Sequence, residues 1–499
     1  MTTHSSYCPL AQQAIERPEA IALIERQREN GVIHYSYAQL HHQVEQRRLW
    51  LLQQGITAGQ RLLIASEDKA EIVRLLLASL RLGSVLIPIN PAFPEVQQRV
   101  LIQSFDADGF IDQPGRANSD NNKKPQDNAK LADRCRSLAL TGDDQNNHPQ
   151  TPGRISAIPI EDPDAPLSGV LTSGTGGTPK LALHSYRNHA ASAAGSRSLI
   201  SLQPGDGWAL ALPLDHISGQ AIVFRCLLAG ASLIIPAVNE TLQQLLLEPH
   251  LTHLSAVPTQ LLGLQRAGVN LDNSTLQQLL IGGGVIPSGL LNWLSQQPLQ
   301  SWISYGLTEM SSQVMTGAIN PEGKLASLLP HCQLRLSADN EILVRGDSLF
   351  LGYYRSTGCQ LPLDHQGWFH TRDLGFLDSQ QQLSIRGRMD NQFISGGENI
   401  QPESIELVIA AYPGIDNCIL VPVDDPYYGQ RSVAFITPLT AIDSAQLERW
   451  LRQRLPRYQV PIHYLQLPTS EAALKISRVE LIRLAAKLVG INSDPPGCG

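Results

Sequence analysis

Cysteine is sparse and unpaired in this chain. Seven residues, at positions 8, 135, 226, 332, 359, 418 and 498, form no CxxC pair and no metal-ligand spacing, so a zinc framework is excluded and reduced, cytosolic thiols are expected. An excess of positive charge is also missing. Lys and Arg number 38 against 45 Asp and Glu, a net charge of −7, so no basic face advertises nucleic acid and the expected partner is a small molecule. The opening MTTHSSYCPL lacks the apolar core of a signal peptide, and the longest greasy stretch, 221–238, is broken by Arg225, Gly230 and Pro236. Membrane insertion is therefore not expected, and a cytoplasmic chain is. No internal repeat is visible, and the oligomeric state is not written in the sequence, which leaves a homo-oligomer open.

What is present is enough apolar material for more than one core: 42% of 499 residues are hydrophobic, so two or more domains are expected. From Tyr37 to about Ser104, helix-like runs such as AEIVRLLLASLRLG alternate with short aliphatic runs such as RLLIAS and SVLIPI, which is βαβ grammar. Residues 113–152 are polar and rich in Asn, Asp and Gln, and read as a long surface excursion that adds little to a core. The alternation then resumes as far as Leu280, where LLIGGG predicts a strand running into a tight glycine turn. From about Gln333 to Arg386 short strands with frequent turns predict a small β-barrel or sheet. Beyond a boundary near 388–390, a helix over NIQPESIELVIAAYPG, a strand at NCILVPV, a helix over 444–455 and a last helix over 477–488 predict a small α+β unit.

The segment 172–180, TSGTGGTPK, is dense in glycine and hydroxyl residues and ends in lysine. Glycines let backbone N–H groups approach phosphate oxygens, hydroxyls donate to them, and the lysine supplies a point charge. It is not a Walker loop, because Lys180 follows Pro179 and precedes Leu181. Nor is it a dinucleotide fingerprint, because the residue three beyond Gly176 is Pro179. ATP is the expected ligand, with a plain surface turn as the alternative for the loop taken alone.

Further clusters accompany the loop: GGG at 282–284, SYGLTEM at 304–310, WFHTRDLG at 368–375, RGRMDNQFISGGENIQPE at 386–403 and ALKISR at 473–478. In this order and spacing they resemble the adenylate-forming superfamily of acyl-CoA synthetases, firefly-type luciferases and peptide-synthetase adenylation domains, over about Tyr37 to Arg478. The resemblance implies an α/β fold: a large N-terminal domain (1–387) of doubly wound βαβ subdomains plus a small β-barrel, a hinge at 388–390, and a small mobile α+β domain (391–499) that carries the catalytic lysine. It also implies an enzyme that uses ATP and Mg²⁺ and takes CoA as a substrate.

A carboxylate is a poor nucleophile and must meet an α-phosphate that is already anionic, so the site has first to cancel negative charge. Lys180, Lys475 and a magnesium ion are the candidates. Magnesium keeps several waters, so one protein carboxylate is enough, and Glu309 fits by resemblance. Its alternative is a carboxylate favoured by a helix N-terminus. The resemblance also assigns Thr172, Ser173, Gly174 and Thr175 to the phosphates, and Gly282, Gly283, Gly284 and Thr308 to the nucleotide. It lays Tyr305 against adenine and gives Asp373 and Arg388 to the ribose. Lys475 reaches the phosphoryl oxygen, and Gly396 and Gly397 line the pantetheine tunnel. Core packing for Tyr305, a surface turn for Asp373 and a β-turn for 396–397 are the alternatives. Arg372 stands where most of the superfamily has glycine.

The acid is read from PLDHISGQAIVFRCLLAGA, 213–231. Arg225 lies in an apolar helical run, and a buried unpaired guanidinium costs several kcal/mol, so it needs an anion or a route to water. A second carboxylate on the substrate supplies one; a structural salt bridge is the alternative. His216 and Ser218 are the candidates to complete the acid pocket with polar contacts, a helix-start histidine being the alternative for His216, and Asp215 is a suitable helix N-cap. This segment, with TRD, SGGENIQPE and ALKISR, resembles the o-succinylbenzoate–CoA ligases of menaquinone biosynthesis. Leu474 and Gly176 depart from residues common at their positions. An amino-acid-activating enzyme that loads a carrier protein and a non-catalytic nucleotide-binding scaffold remain open.

Overall fold

The computed structural model describes residues 7–27, 31–112, 135–139, 155–172, 179–284, 286–395, 398–425, 428–438, 441–468 and 477–489. Two large sheets organise its first part. In the nine-stranded sheet six strands run parallel in the order Gln300–Leu307, Gln278–Ile281, His253–Ala256, Gly207–Ala209, Ser232–Ile235 and Ile21–Gln27, with antiparallel strands at both edges. In the eight-stranded sheet a parallel set built on Val85–Ile89, Arg61–Ala65 and Gly109–Asp112 is extended by the antiparallel pair Pro166–Thr172 and Lys180–Ser185. The parallel strands are near-continuous aliphatic runs because helices cover both of their faces.

Helix boundaries follow local chemistry. Lys69–Leu82 starts where the Asp68 carboxylate accepts the N–H of Glu71 and stops at Gly83, whose φ of 76° suits a residue without Cβ. Tyr37–Gln53 and Tyr186–Arg197 open on capping boxes at Ser36 with Gln39 and at Ser185 with Asn188. Helix Ile217–Ala229 carries Arg225 and ends at Gly230, φ 70°. Its N-cap is His216, which makes no side-chain cap bond. Asp215 is therefore not the cap expected from its residue type, since the helix begins one residue later than that expectation requires.

A second expectation also differs from the structure. Within the polar stretch 113–152, residues Arg136–Ala139 form a strand parallel to Gly109–Asp112, and Leu138 is buried in the core. Four residues suffice for an edge strand, and the composition of their surroundings conceals them. The rest of that stretch lies outside the described residues. The short-strand segment takes the sheet form of the barrel-or-sheet expectation: Cys332–Leu336, Glu341–Gly346, Phe369–Leu377 and Leu383–Arg388 make a four-stranded antiparallel sheet. The intervening strands Gly352–Arg355 and Gly358–Gln360 leave it to extend the eight-stranded sheet.

After a 3₁₀ turn at Met389–Asn391 the chain enters a separate five-stranded sheet. Helices Pro402–Ala410, Ser444–Arg452 and Arg478–Val489 accompany it. Its two apolar clusters draw only on residues from Phe393 onward, so this part has its own core. Among the described residues no helix is long and apolar enough to cross a membrane.

Candidate active site

The glycine-rich loop joins two antiparallel strands, with Thr172 opposite Lys180 in register. A strand, Lys180–Ser185, and not a helix follows it, which agrees with the failure of both better-known phosphate motifs in the sequence. Residues 173–178, including Ser173, Gly174 and Thr175, lie outside the described residues, as do Gly396, Gly397 and Lys475.

Lys180 places its Nζ 4.9 Å from the ring centroid of Tyr353. Tyr353 pairs with the same strand, opposite Ala182, and its hydroxyl donates to Oε1 of Glu309 at 2.5 Å. Burial, and then the negative charge of Glu309, push the Tyr353 phenol far above its ordinary value, so it remains a proton donor. Lysine, phenol and carboxylate thus form one contiguous group. The sequence reading missed Tyr353, since a tyrosine in a short strand carries no signal until the strand's pairing is known.

Glu309 lies in the 3₁₀ turn Thr308–Met310 at the end of strand Gln300–Leu307. Its neighbour in the sheet, Gln278–Ile281, runs parallel and ends in Gly282, Gly283 and Gly284. A Cβ on Gly282 would meet Ser304 Oγ at 2.8 Å, and Gly283 has φ 82°. The two motif segments therefore emerge side by side at the carboxyl ends of parallel strands, where α/β sheets bind ligands. Gly306 has a more specific role than freeing a turn beside Tyr305. It sits at a bulge where a Cβ would lie 1.9 Å from the carbonyl oxygen of Ser312, so only glycine lets the two strands approach.

A second group centres on Asp373, which is 8% exposed. Its Oδ2 accepts from the Tyr305 hydroxyl at 2.7 Å and its Oδ1 from Arg388 Nη1 at 2.8 Å. Asp373 and Arg388 are cross-strand partners. Burial raises the Asp373 carboxyl, against the pull of Arg388 and Tyr305, and the charge of Glu309 adds to the rise. Each oxygen keeps a lone pair for a further donor. Tyr305 packs in the large apolar cluster and is itself 8% exposed.

Arg225 is buried, 4% exposed, and its Nη2 donates to Ser312 Oγ at 3.2 Å and Gln313 Oε1 at 2.8 Å. Both partners are neutral, and Nε has none. Among the described residues it makes no ion pair, so the salt-bridge alternative is not what the structure contains. Desolvation lowers its guanidinium to about 10. Ser312 follows Glu309 by three residues in the chain. Ser218 lies on the same face of the helix, seven residues and about 10 Å from Arg225. His216 is exposed just ahead of the first turn.

Two α/β sheets, an antiparallel sheet and a separate C-terminal α+β unit, with phosphate-loop and carboxylate motifs at strand ends, define an acid-activating enzyme. The chain belongs to the AMP-binding enzyme family, whose profile matches residues 10–354, and the profile of the AMP-binding enzyme C-terminal domain matches 404–471. Among its relatives is the 2-succinylbenzoate–CoA ligase of Salmonella typhimurium, 35% identical over 85% of this chain and 87% of that protein. An arginine-to-lysine variant of Escherichia coli MenE with bound OSB-AMS superposes with a TM-score of 0.82 at 30% identity, covering 97% of this chain and 100% of that one. The Bacillus subtilis o-succinylbenzoate CoA synthetase, in complex with the acyl-adenylate OSB-AMP, shares the fold at 24% identity and a TM-score of 0.81 over 95% of this chain and 98% of its own.

Proposed function

We propose that this chain is an AMP-forming o-succinylbenzoate–CoA ligase of menaquinone biosynthesis, acting in the cytoplasm on o-succinylbenzoate, ATP and CoA. The observation that carries the choice of acid is Arg225, a buried guanidinium that lies over the Trp208 ring and whose hydrogen-bond partners among the described residues are the neutral Ser312 and Gln313. Its relatives are named for an acid with two carboxylates. One carboxylate pairs with Arg225 while the other reacts, and Ser218 and His216 contact the acid nearer the helix start.

The chemistry follows from charge. Hydroxyls and backbone N–H groups of 172–175 hold the triphosphate, and Lys180 offsets its charge. Glu309 offers a carboxylate of which Tyr353 takes one lone pair, a donor set that suits a hard divalent cation with most of its waters. Bound there, Mg²⁺ supplies further positive charge to the phosphates. Tyr305 borders the adenine, Gly282 to Gly284 and Thr308 let the nucleotide approach the strand ends, and Asp373 with Arg388 takes the ribose hydroxyls. A substrate carboxylate oxygen bonds to the α-phosphorus as the bond to pyrophosphate breaks. Lys475, carried by the C-terminal domain (391–499), stabilises that step from across a hinge at 388–390. The CoA thiolate, guided past Gly396 and Gly397, then attacks the acyl carbon and AMP leaves.

The test is acid-dependent pyrophosphate exchange with a panel of acids. Exchange with o-succinylbenzoate well above that with benzoate, fatty acids or amino acids supports the reading. Preference for an amino acid, with transfer to a carrier protein, would replace it with the carrier-loading alternative, and absence of any exchange with the scaffold.

A further inference from the structure

Arg372 adopts φ 64°, a left-handed backbone that is uncommon for a residue with a long side chain. Three contacts hold it there. Its N–H donates to Oε1 of Glu341 at 2.9 Å, and Glu341 is buried, with its other oxygen on Nδ1 of His370 at 2.8 Å. Its Nε and Nη2 both donate to Oδ1 of Asp390 at 3.2 Å. Asp390 lies in the 3₁₀ turn where the chain passes from the four-stranded sheet to the C-terminal sheet, and its Oδ2 also accepts from Arg388 Nη2 at 3.4 Å. Arg388 in turn donates to Asp373, and Asp373 accepts from Tyr305.

Two guanidiniums and two carboxylates therefore alternate in one line, Arg372, Asp390, Arg388, Asp373. The order matters. Arg388 lies between two carboxylates that compete for it, and Asp390 is the more exposed competitor, its side chain 25% accessible against 11% for Asp373. A second cation on Asp390 weakens its claim on Arg388 and leaves that guanidinium directed at Asp373.

We propose that Arg372 is a positioning residue: by gripping Asp390 it holds Arg388 on Asp373, and so fixes the ribose side of the nucleotide site to the crossing between the two parts of the chain. The inference rests on the nucleotide reading above. It accounts for a residue that pays a backbone cost where glycine would not. Arg372 touches no ligand in this account. Its side chain is 51% exposed, so the effect is modest and falls with added salt.

The experiment compares the parent protein with Arg372→Gly, Arg372→Lys, Asp390→Asn and the double variant Arg372→Gly/Asp390→Asn, reading AMP affinity by calorimetry, KM for ATP, kcat and the melting midpoint. Glycine removes the guanidinium and relieves the backbone, so Arg372→Gly keeps or raises the melting midpoint while weakening AMP binding and raising KM for ATP by about two- to fivefold, the range of an exposed ion pair. Arg372→Lys, with one point charge, falls between the two. Asp390→Asn removes the competitor, so the double variant regains affinity towards the parent value. The loss in Arg372→Gly shrinks at high salt. Parent-like affinity in Arg372→Gly overturns the proposal, as does a double variant weaker than either single one. A parent protein that binds no AMP overturns the nucleotide reading itself, and this inference with it.

Discussion

Tyr353 donates its phenolic hydrogen to Glu309 at 2.5 Å while its ring faces the ammonium of Lys180. One side chain thus links the lysine that closes the phosphate loop to the carboxylate that ends the motif strand, across two different sheets. Tyr353→Phe keeps the ring beneath Lys180 and removes the donor. A hydrogen bond to a charged group contributes about 1.5–3 kcal/mol, so kcat/KM in pyrophosphate exchange should fall by roughly 10- to 100-fold. Steady-state exchange kinetics at saturating Mg²⁺ check this; a rate within twofold of the parent removes Tyr353 from the machinery.

Arg225→Met replaces a buried cation that has no anionic partner among the described residues by an apolar side chain of similar length, a change that need not destabilise the fold. The melting midpoint should be retained. KM for o-succinylbenzoate should rise by at least about tenfold, as expected when a charge-assisted pair is lost, with KM for ATP little changed. Parallel rises in both constants would assign Arg225 a structural role.

Asp373→Asn keeps the shape of the side chain and removes its charge. Arg388 loses the closer of its two ionic partners, and one oxygen able to accept from Tyr305 or a ribose hydroxyl becomes an NH₂ donor. KM for ATP should rise with 2-succinylbenzoate KM held, and discrimination between ATP and its 2′-deoxy analogue should narrow. Discrimination equal to that of the parent would place the ribose elsewhere.

His184, on strand Lys180–Ser185, and His189, on the helix Tyr186–Arg197, are both buried. Desolvation lowers His184 to about 3, and lowers His189 as well, the charge of His184 adding there. Both are neutral in the fold, whereas in the unfolded chain they bind protons below about 6.5. Between those values the unfolded state holds more protons, so stability is lost as pH falls through this window and is complete above it, with a limiting slope of about 1.4 kcal/mol per pH unit for each histidine. Denaturant midpoints from pH 7.5 to 4.5 check the slope. His184→Gln should flatten it; an unchanged slope would assign the acid sensitivity to other groups.

Much of the fold was legible because period and punctuation agreed. The run ending at Gly83 gave a helix, and the aliphatic runs at 61–65 and 85–89 gave paired parallel strands. Strand Arg136–Ala139 was hidden because four residues within a polar stretch offer too short a pattern. At the site, Glu309, Tyr305, Asp373 and Arg388 were readable from their motifs, yet their mutual contacts were not. Tyr353 escaped for a plain reason: it reaches Glu309 only because its strand leaves the four-stranded sheet to join Lys180–Ser185. The left-handed backbone at Arg372 is likewise a fact of φ that no residue pattern displays.

The central claim is that an organic acid is joined first to AMP and only then to sulfur. The most direct measurement is a single-turnover quench with o-succinylbenzoate, labelled ATP and Mg²⁺, first without CoA and then with CoA added. The account predicts stoichiometric pyrophosphate and an enzyme-held acyl-AMP before CoA, followed by AMP and thioester after it. Release of ADP and phosphate, or no acyl-AMP until CoA is present, would contradict it.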